Sequence, residues 1–464
     1  MNVVRTCIID EKKYKPEETE MERFEWGVST AAFQIEGAAR EDGKKDSIWD
    51  VYTHEPGRTK MGDTGDTACD HYHRYKEDIR LMSELGVTAY RFSVSWPRVI
   101  PDGTGEVNEK GIRFYSDLVD EMLRYGIEPY MTLYHWDLPQ ALFERGGWLN
   151  PASPEWFYEY SRVMGERFGD RVKNFITVNE PSNVMNGLRP GGSNAPACPL
   201  TKREQLRALH NLLLAHGRSV MALRETVPDA KVGFAPCSTV FCPEDTGEDL
   251  VEAARRMYFF FDENCPTDNV IVYTDPVFLG DYPKVYYDNF SDIMPDITEK
   301  DLRIISTPVD CCFHNTYAGD IVVRDGKEGF RIKEGNPVRN SLSWKITPEA
   351  LYWGPKFLYE RYGKPVYITE NGLPAPDVVC LDGKVHDAYR SDFIERYTRE
   401  LLRAARDGVD VRGYFYWSFL DNLEWELGFE PRFGLVYIDF DTLERIPKDS
   451  FAYYRDLIRR YRGE

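Results

Sequence analysis

Short apolar runs alternate with amphipathic segments along most of the chain. Between the runs, segments such as 76–86, 111–126 and 206–225 carry apolar residues three and four positions apart, which predicts helices. Strands that alternate with helices indicate a parallel sheet. The runs that we predict to be strands are 24–34, 88–96, 128–136, 173–180, 231–237, 308–317, 365–370 and 411–419.

Eight strand–helix units, with strands apolar enough to be covered on both faces, favour a closed barrel. We expect an α/β fold made of a single (β/α)8 TIM barrel with long βα loops, notably at 35–75, 185–205, 238–305 and 318–345. The alternative is an open, doubly wound sheet. Such a sheet should begin with a Gly-rich phosphate loop, whereas the turn after the first predicted strand reads FQIEGAAREDG. We assign residues 23–464 to the barrel domain and residues 1–22 to a polar N-terminal extension.

Composition and charge exclude several classes of partner. No apolar run approaches the roughly 18 residues of a membrane span, and the N-terminus lacks the apolar core of a secretory signal. A net charge of −19 disfavours nucleic acid and anionic membranes. The nine cysteines contain no Cys-x-x-Cys pair, which indicates free thiols in a reducing compartment. We therefore expect a cytoplasmic protein, and the sequence leaves a homo-oligomer open.

Polar and aromatic residues follow or end most of the predicted strands. Active sites of parallel barrels lie at the carboxyl ends of their strands, whereas ordinary surface turns favour Gly, Pro, Ser and Lys. Each residue also has a structural interpretation, as an ion-pair member, a buried histidine or a space-filling ring; their convergence at one end favours a site. They are Gln34, Arg91, Trp96, His135, Trp136, Asn179, Glu180, Asn315, Tyr317, Glu370, Asn371 and Trp417.

Two carboxylates stand out because each closes a strongly apolar strand. Glu180 ends ITVNE and Glu370 ends VYITE, on the fourth and seventh predicted strands. A buried carboxylate is unfavourable unless it is paired or used. Two opposed carboxyls beside tryptophan platforms suit glycosidic bond cleavage, in which one acid protonates the leaving oxygen and one carboxylate attacks the anomeric carbon. Arg91 and Tyr317 are then candidates to hold Glu370 ionised.

A metal site is the competing hypothesis, since His71 and His73 are spaced like paired ligands. Ligand pairs of barrel metallohydrolases lie at a strand end, whereas HYHRYKEDIRLM leads directly into a predicted helix. We therefore predict that these histidines begin a helix and that no metal is bound.

From about Phe24 to the C-terminus, the motifs WGVSTAAFQIEGA, YRFSVSWPRV, LYHWDLPQAL, TVNEP, ITENG and YWSFLDNLEWELGFEPRFGLVYID follow one another in order. In this set the chain resembles glycoside hydrolase family 1, the β-glucosidase family. The resemblance implies a (β/α)8 barrel that hydrolyses β-glycosides with retention, without metal or organic cofactor, on a small-molecule substrate. It implies that Glu180 is the acid/base and Glu370 the nucleophile.

The resemblance also implies the residues that bind the sugar. Asn179 resembles the ligand of the 2-hydroxyl, and Trp344 the aromatic platform for the leaving group. The remaining residues matched to the sugar pocket are Gln34, His135, Trp136, Trp417, Glu424, Trp425 and Phe433, with Asn315 and Tyr317 at the end of the sixth predicted strand.

Glu424 bears on which sugar is excluded. A carboxylate there accepts hydrogen bonds from the 4- and 6-hydroxyls and repels a 6-phosphate, for which the phospho-β-glycosidase branch uses Ser, Lys and Tyr. We expect a β-glucosidase, and the sequence leaves galactose and fucose open as the favoured sugar, since Gln34 and Glu424 can serve either 4-hydroxyl configuration. The alternatives are a 6-phospho-β-glycosidase and a non-catalytic sugar-binding relative. Departures from the family pattern, SNVMNGLRPGGSNAPACP after TVNEP and FHNTY on the sixth strand, border the leaving-group side.

Overall fold

The computed structural model describes residues 24–326 and 329–463, whose core is a closed barrel of eight parallel strands. Around the barrel the order is β1, β11, β10, β7, β5, β4, β3 and β2, returning to β1. Each predicted strand corresponds to one barrel strand, so the predicted fold is confirmed. The strands are β1 (Glu25–Ser29), β2 (Ala89–Ser93), β3 (Glu128–Tyr134), β4 (Asn174–Asn179), β5 (Lys231–Ala235), β6 (Val240–Pro243), β7 (Cys311–Asn315), β8 (Gly319–Asp325), β9 (Gly329–Ile332), β10 (Val366–Asn371), β11 (Val411–Trp417), β12 (Val436–Ile438) and β13 (Arg445–Pro447).

Large and small side chains alternate inside the barrel. An added Cβ on Gly27 would lie 2.3 Å from the ring of Phe415, and one on Gly233 would lie 2.3 Å from the ring of Phe313. The two glycines therefore leave the space that the two rings fill, and the barrel interior is a packed core rather than a pore. The residues of this interior cluster are Ala89, Tyr130, Ile176, Ala235, Cys311, Phe313, Tyr367 and Phe415.

Helices cover the outside of the barrel. The predicted segment 206–225 lies within a longer helix, whereas 76–86 and 111–126 each run one or two residues past the observed helix end. In α5 the residues three and four apart, such as Phe114, Leu118 and Met122, are buried, which explains the periodicity in the sequence. The described helices are α1 (Ala32–Ile35), α2 (Ile48–His54), α3 (His71–Leu85), α4 (Trp96–Val99), α5 (Glu109–Arg124), α6 (Gln140–Glu144), α7 (Ser153–Phe168), α8 (Pro181–Asn186), α9 (Lys202–Thr226), α10 (Glu248–Tyr258), α11 (Ile271–Phe278), α12 (Lys284–Phe290), α13 (Glu299–Ile305), α14 (Ala350–Tyr362), α15 (Ala388–Arg406) and α16 (Asp449–Arg462), with 3-10 turns at Lys60–Gly62, Gly147–Leu149 and Trp425–Leu427.

The first predicted strand was too long. Strand β1 ends at Ser29, and the chain then forms the helical turn α1, which carries Gln34. The Oγ of Ser93 accepts a hydrogen bond from the backbone N–H of Ala32 at 2.8 Å, which fixes the beginning of that turn. Apolar residues continue through the turn because all four of its side chains are buried, so the sequence pattern did not reveal the change.

Three of the predicted loops contain structure of their own, and the loop 35–75 includes the helix Ile48–His54. Strands β6, β8 and β9 form a small sheet outside the barrel, and α10 to α13 occupy the rest of the segment 238–305. No helix in residues 24–326 and 329–463 is both long and apolar enough to cross a membrane. The eight cysteines of these residues are free thiols. The predicted extension 1–22 lies outside the described residues, and the division of the chain there stays a prediction.

Candidate active site

A cavity of about 360 Å³ opens at the carboxyl ends of the barrel strands. Two predicted residues, Gln34 and Asn179, are fully buried and hydrogen-bond to residues of the cavity wall, and Arg91 lies beneath the cavity floor. Trp96 is buried in α4, and its ring stacks on Tyr160 instead. The predicted residues that line the cavity are His135, Trp136, Glu180, Asn315, Tyr317, Trp344, Glu370, Trp417, Glu424, Trp425 and Phe433.

The barrel strands that carry the two glutamates are irregular just before them. Between Ile176 and Asn179, strand β4 has one more residue than β5, and between Ile368 and Glu370, strand β10 has one more residue than β7. An extra residue of this kind bends the strand and re-aims the side chains that follow. These irregularities accompany the turn of both carboxyls toward the cavity.

The carboxylate of Glu370 is held by two donors. Arg91 donates from Nη1 to Oε1 at 2.5 Å, and the hydroxyl of Tyr317 donates to Oε2 at 2.6 Å. Burial raises the pKa of Glu370, while Arg91 and Tyr317 oppose that rise by stabilising the ionised form. The arginine is itself fully buried and paired with this carboxylate. Glu370 therefore has the partners of a carboxylate that stays charged.

Glu180 lies in a different environment. Burial, and then the nearby charge of Glu370, raise its pKa to about 7. Asn315 donates to its Oε1 at 2.7 Å and Asn183 donates to its Oε2 at 2.5 Å, but no cation is paired with it among the described residues. Its backbone is left-handed, with φ of 43°, at the point where β4 passes into α8. Near neutral pH this carboxyl can therefore both give and take a proton.

Asn179 connects the two glutamates. Its Oδ1 accepts hydrogen bonds from Arg91 at 2.6 Å and from Asn315 at 3.0 Å, so its Nδ2 is the donor toward His135 Nε2, at 3.1 Å. Burial and Arg91 lower the pKa of His135 well below its usual value. The neutral ring thus carries its proton on Nδ1, which is buried and has no hydrogen-bond partner within residues 24–326 and 329–463. This donor is available to a ligand.

Gln34 and Glu424 form a second polar pair. The amide nitrogen of Gln34 donates to the carbonyl of Leu423 at 2.8 Å and lies 3.4 Å from Oε2 of Glu424. In the described part of the chain, its Oε1 is buried without a partner. Burial, followed by the charge of Glu426, raises the pKa of Glu424 to about 8. The pair therefore combines Oε1 of Gln34, an acceptor without a partner in the described residues, with a carboxyl whose pKa is raised.

Aromatic rings form the walls around these polar groups. The rings of Trp136 and Trp425 are 4.5 Å apart, and on the other side Trp344 lies 5.3 Å from Tyr317. Rings of this kind cover the apolar C–H faces of sugars, while carboxyls and amides bind the hydroxyl fringe. The cavity therefore suits a polyhydroxylated ring.

The backbone of the site needs one glycine. A Cβ on Gly372 would lie 1.7 Å from the carbonyl oxygen of Trp417, so only glycine permits this close approach of the segment after β10 to the end of β11. Trp136 and Trp425, with φ of 76° and 50°, also have left-handed backbones. Residues held in sparsely populated conformations cluster at functional sites.

Sequence reasoning missed three polar residues of the site. Thr369 donates from Oγ1 to Oδ1 of Asn315 at 2.8 Å and so orients the amide that faces Glu180. Asn183 lies three residues after Glu180, one helical turn along α8, and that spacing was the available signal. Glu426 lines the cavity next to Trp425, two residues after the predicted site residue Glu424.

The predicted helix start at the paired histidines is confirmed. Helix α3 begins at His71, whose Nδ1 bonds Asp78 at 2.8 Å, while His73 bonds Asp70 and Glu41 near the surface. Within residues 24–326 and 329–463, no three His, Cys, Asp or Glu side chains gather as metal ligands.

A buried carboxyl with a pKa near neutrality and a buried carboxylate fixed by arginine, in one sugar-shaped cavity, define a glycoside hydrolase. A model described as glycosyl hydrolase family 1 matches residues 17–462, and the chain belongs to that family. This confirms the resemblance seen in the sequence motifs.

Known proteins of the family are similar over nearly their whole length. Beta-glucosidase A of Thermotoga maritima is 44% identical over 444 residues, which are 94% of this chain and 97% of that protein. A bifunctional beta-D-glucosidase/beta-D-fucosidase of Bifidobacterium breve is 37% identical, over 94% of this chain and 97% of that protein. The solved structure of the Thermotoga maritima beta-glucosidase in complex with glucoimidazole has a TM-score of 0.86 at 44% identity, covering 95% of this chain and 98% of that one.

Proposed function

We propose that this protein is a retaining exo-β-glycosidase, which releases a terminal, unphosphorylated β-D-glucoside, with galactosides or fucosides as further substrates. The single observation that carries the proposal is the unlike environment of the two carboxyls in one cavity. Glu370 has an arginine and a tyrosine hydroxyl as donors, whereas Glu180 has two neutral amides and a pKa of about 7. Carboxyls in opposed protonation states are what double displacement requires.

The first chemical step uses both groups. Glu370 attacks the anomeric carbon while Glu180 gives its proton to the leaving oxygen, so the leaving group departs neutral and the sugar is joined to Glu370. As the glycosyl ester forms, Glu370 loses its negative charge, and the upward pressure on the pKa of Glu180 from that charge disappears. Glu180 therefore stays ionised in the intermediate. In the second step it takes a proton from the incoming water, whose oxygen attacks the anomeric carbon, breaks the ester bond and releases Glu370 as a carboxylate.

The remaining cavity residues are proposed to bind the sugar. His135 Nδ1–H donates and Gln34 Oε1 accepts, and both are the buried unpartnered atoms described above. Asn179 is placed beside both glutamates to bind the 2-hydroxyl, a contact that strengthens in the transition state. Trp136, Trp417, Trp425 and Phe433 surround the glycone, and Trp344 with Tyr317 marks the leaving-group side.

The competing 6-phospho-β-glycosidase is disfavoured by the same cavity. Glu424 and Glu426 both line it, and no lysine or arginine is among its described lining residues, so a phosphate dianion would meet acidic side chains with no cation to pair with. The test compares kcat/KM for an aryl β-glucoside with that for its 6-phosphate. We expect a large preference for the unphosphorylated substrate, and a preference for the phosphate would reject the assignment of Glu424.

The main experiment follows product stereochemistry in the unmodified protein. Proton NMR of a reaction on an aryl β-glucoside should show the β-anomer of glucose first, followed by slow mutarotation. Initial α-glucose would exclude retention. Tight binding without turnover would instead support a non-catalytic sugar-binding relative, and the same assay on an aryl β-glycoside panel ranks glucose, galactose and fucose.

We also propose that the protein works in a reducing, cytoplasmic compartment. The eight described cysteines are free, and Cys265 and Cys380 among them are exposed. Exposed thiols of this kind persist where glutathione and thioredoxin keep them reduced. Secretion of the protein by the native cell in an active, oxidised form would contradict this location.

A further inference from the structure

The acid/base carboxyl has one partner that lies outside the family motifs. Asn183, in the irregular segment after TVNEP, donates from its side-chain Nδ2 to Glu180 Oε2 at 2.5 Å. Its backbone N–H also donates to the carbonyl of Glu180, at 3.0 Å. Asn183 thus hydrogen-bonds to both the carboxyl and the backbone carbonyl of Glu180, and the backbone of Glu180 is left-handed.

The backbone that carries the Asn183 side chain is anchored from behind. Asn194 is buried and donates from Nδ2 to the backbone carbonyl of Asn183 at 3.1 Å, and its own Oδ1 lies 3.5 Å from Nδ2 of Asn186. The segment that carries Asn194 runs close to α8, because a Cβ on Gly187 would lie 2.1 Å from the carbonyl oxygen of Ala195. A packed loop therefore fixes the backbone from which the Asn183 amide reaches Glu180.

The two amides on Glu180 divide its oxygens between them. Asn315 takes Oε1 and Asn183 takes Oε2, so each oxygen keeps its remaining lone pair for the cavity. An N–H donor stabilises the ionised carboxylate more than the neutral acid, and Asn183 accordingly lowers the pKa of Glu180 against the upward effect of burial. The same contact orients the carboxyl and adjusts its proton affinity.

We propose that Asn183 is a positioning residue for the acid/base. Its side-chain amide orients the carboxyl of Glu180 toward the leaving-group oxygen and keeps the pH at which Glu180 loses its proton from rising further. It acts through Glu180 and is not itself a reacting group. This inference rests on the proposed role of Glu180. It predicts that Asn183 matters in proportion to how much the leaving group needs protonation.

The test uses Asn183→Leu and Asn183→Asp on two aryl glucosides, one with a dinitrophenol leaving group that departs without protonation and one with a weakly acidic phenol. For the weakly acidic phenol, kcat/KM should fall about 10- to 100-fold, the usual effect of losing a hydrogen bond to a charged group. For the dinitrophenyl glucoside, kcat/KM should change by less than about twofold. This constant reports the first chemical step only, and in that step the dinitrophenol departs without protonation.

The pH profile provides a second readout. Without the amide donor the ionised form of Glu180 is less stable, so its pKa rises and the basic limb of the profile moves to higher pH in Asn183→Leu. It should move further in Asn183→Asp, which has the same shape but places a second carboxyl against Glu180. Asn289→Leu is the matched control, since the amide of Asn289 is exposed and donates to the backbone carbonyl of Val285, outside the cavity, and its loss should leave both readouts unchanged.

The outcomes separate this inference from the proposed function. Equal loss on both substrates with an unmoved basic limb would reduce Asn183 to a structural residue and overturn the inference. Glu180→Ala, measured beside it, should lose activity on the weakly acidic phenol and lack the basic limb. If Glu180→Ala shows neither effect, the assignment of Glu180 itself fails. Should Asn183→Leu not fold, as judged by its thermal transition, Asn183→Asp carries the test.

Discussion

Tyr317 offers a sharp test of how Glu370 is kept ionised. Its hydroxyl donates to Oε2 of Glu370 at 2.6 Å, opposite the 2.5 Å contact from Arg91 to Oε1. The change Tyr317→Phe removes this donor and keeps the ring that packs against Trp344 and Phe433. The variant therefore isolates one hydrogen bond on a buried carboxylate.

The size of the effect follows from that geometry. A hydrogen bond to a charged group contributes about 1.5–3 kcal/mol, and about 1.4 kcal/mol corresponds to a tenfold change in rate, so kcat/KM should fall by roughly 10- to 100-fold. The donor favours the ionised form of Glu370. Its loss raises the pKa of Glu370, and because attack needs the carboxylate, the acidic limb of the pH profile should move to higher pH.

The assay is kcat/KM for an aryl β-glucoside across the pH range, with Tyr90→Phe as the control. Tyr90 is also buried and makes a 2.6 Å contact, but with Thr30 and not with a catalytic carboxyl. Its loss should leave the acidic limb in place. An unchanged acidic limb in Tyr317→Phe, with activity lost or kept, would refute the reasoning that the tyrosine holds Glu370 in its charged form.

Three further changes test other parts of the structure. Glu424→Gln should lower kcat/KM for a β-glucoside about tenfold or more in steady-state assays. Hydroxyls of the bound sugar donate to Glu424 and oppose the rise of its pKa to about 8, so it becomes a charged acceptor on binding, whereas the amide stays neutral. An unchanged value would remove Glu424 from the sugar site. Lys448→Met should lower the free energy of unfolding by about 1.5–3 kcal/mol in a urea titration, since it removes a charged donor from two buried carboxylates, Asp377 and Asp421. The loss is limited because Asp377 keeps Arg390 and Asp421 keeps Arg432. A loss below about 1 kcal/mol would show that the pairs contribute little. Gly372→Ala should lower both the midpoint of thermal unfolding and kcat, because its Cβ would overlap the carbonyl oxygen of Trp417, and wild-type values for both would contradict the close approach.

The barrel could be predicted because its strands and helices carry their periodicity in the sequence. The residues at strand ends could also be collected, since parallel strands place their carboxyl ends at one edge. Gln34 was assigned to a strand end, yet it lies on a helical turn whose side chains are all buried. A segment that is buried throughout has no alternation of buried and exposed positions to reveal its conformation.

Two kinds of feature could not be predicted from sequence. The outer sheet was missed because β6 and β9 have only four residues each, too few to show a clear period, and β9 is exposed along its whole length. The orientation of amides was missed because it depends on contacts between distant segments. Asn315 faces Glu180 only because Thr369, 54 residues away, binds its oxygen. The position of Asn183 likewise depends on Asn194, which donates a hydrogen bond to its backbone carbonyl.

The central claim is that Glu370 forms the bond to the sugar while Glu180 moves the proton, and the anomer of a glycosyl azide tests it most directly. In Glu370→Gly, azide can enter the space of the missing carboxylate and displace the leaving group in one step, so the product should be the α-glucosyl azide. In Glu180→Ala, Glu370 still forms the intermediate, and azide should open it to the β-azide. NMR of both products gives the answer. A β-azide from Glu370→Gly, or no rescue by azide in either variant, would contradict the assignment of the two glutamates.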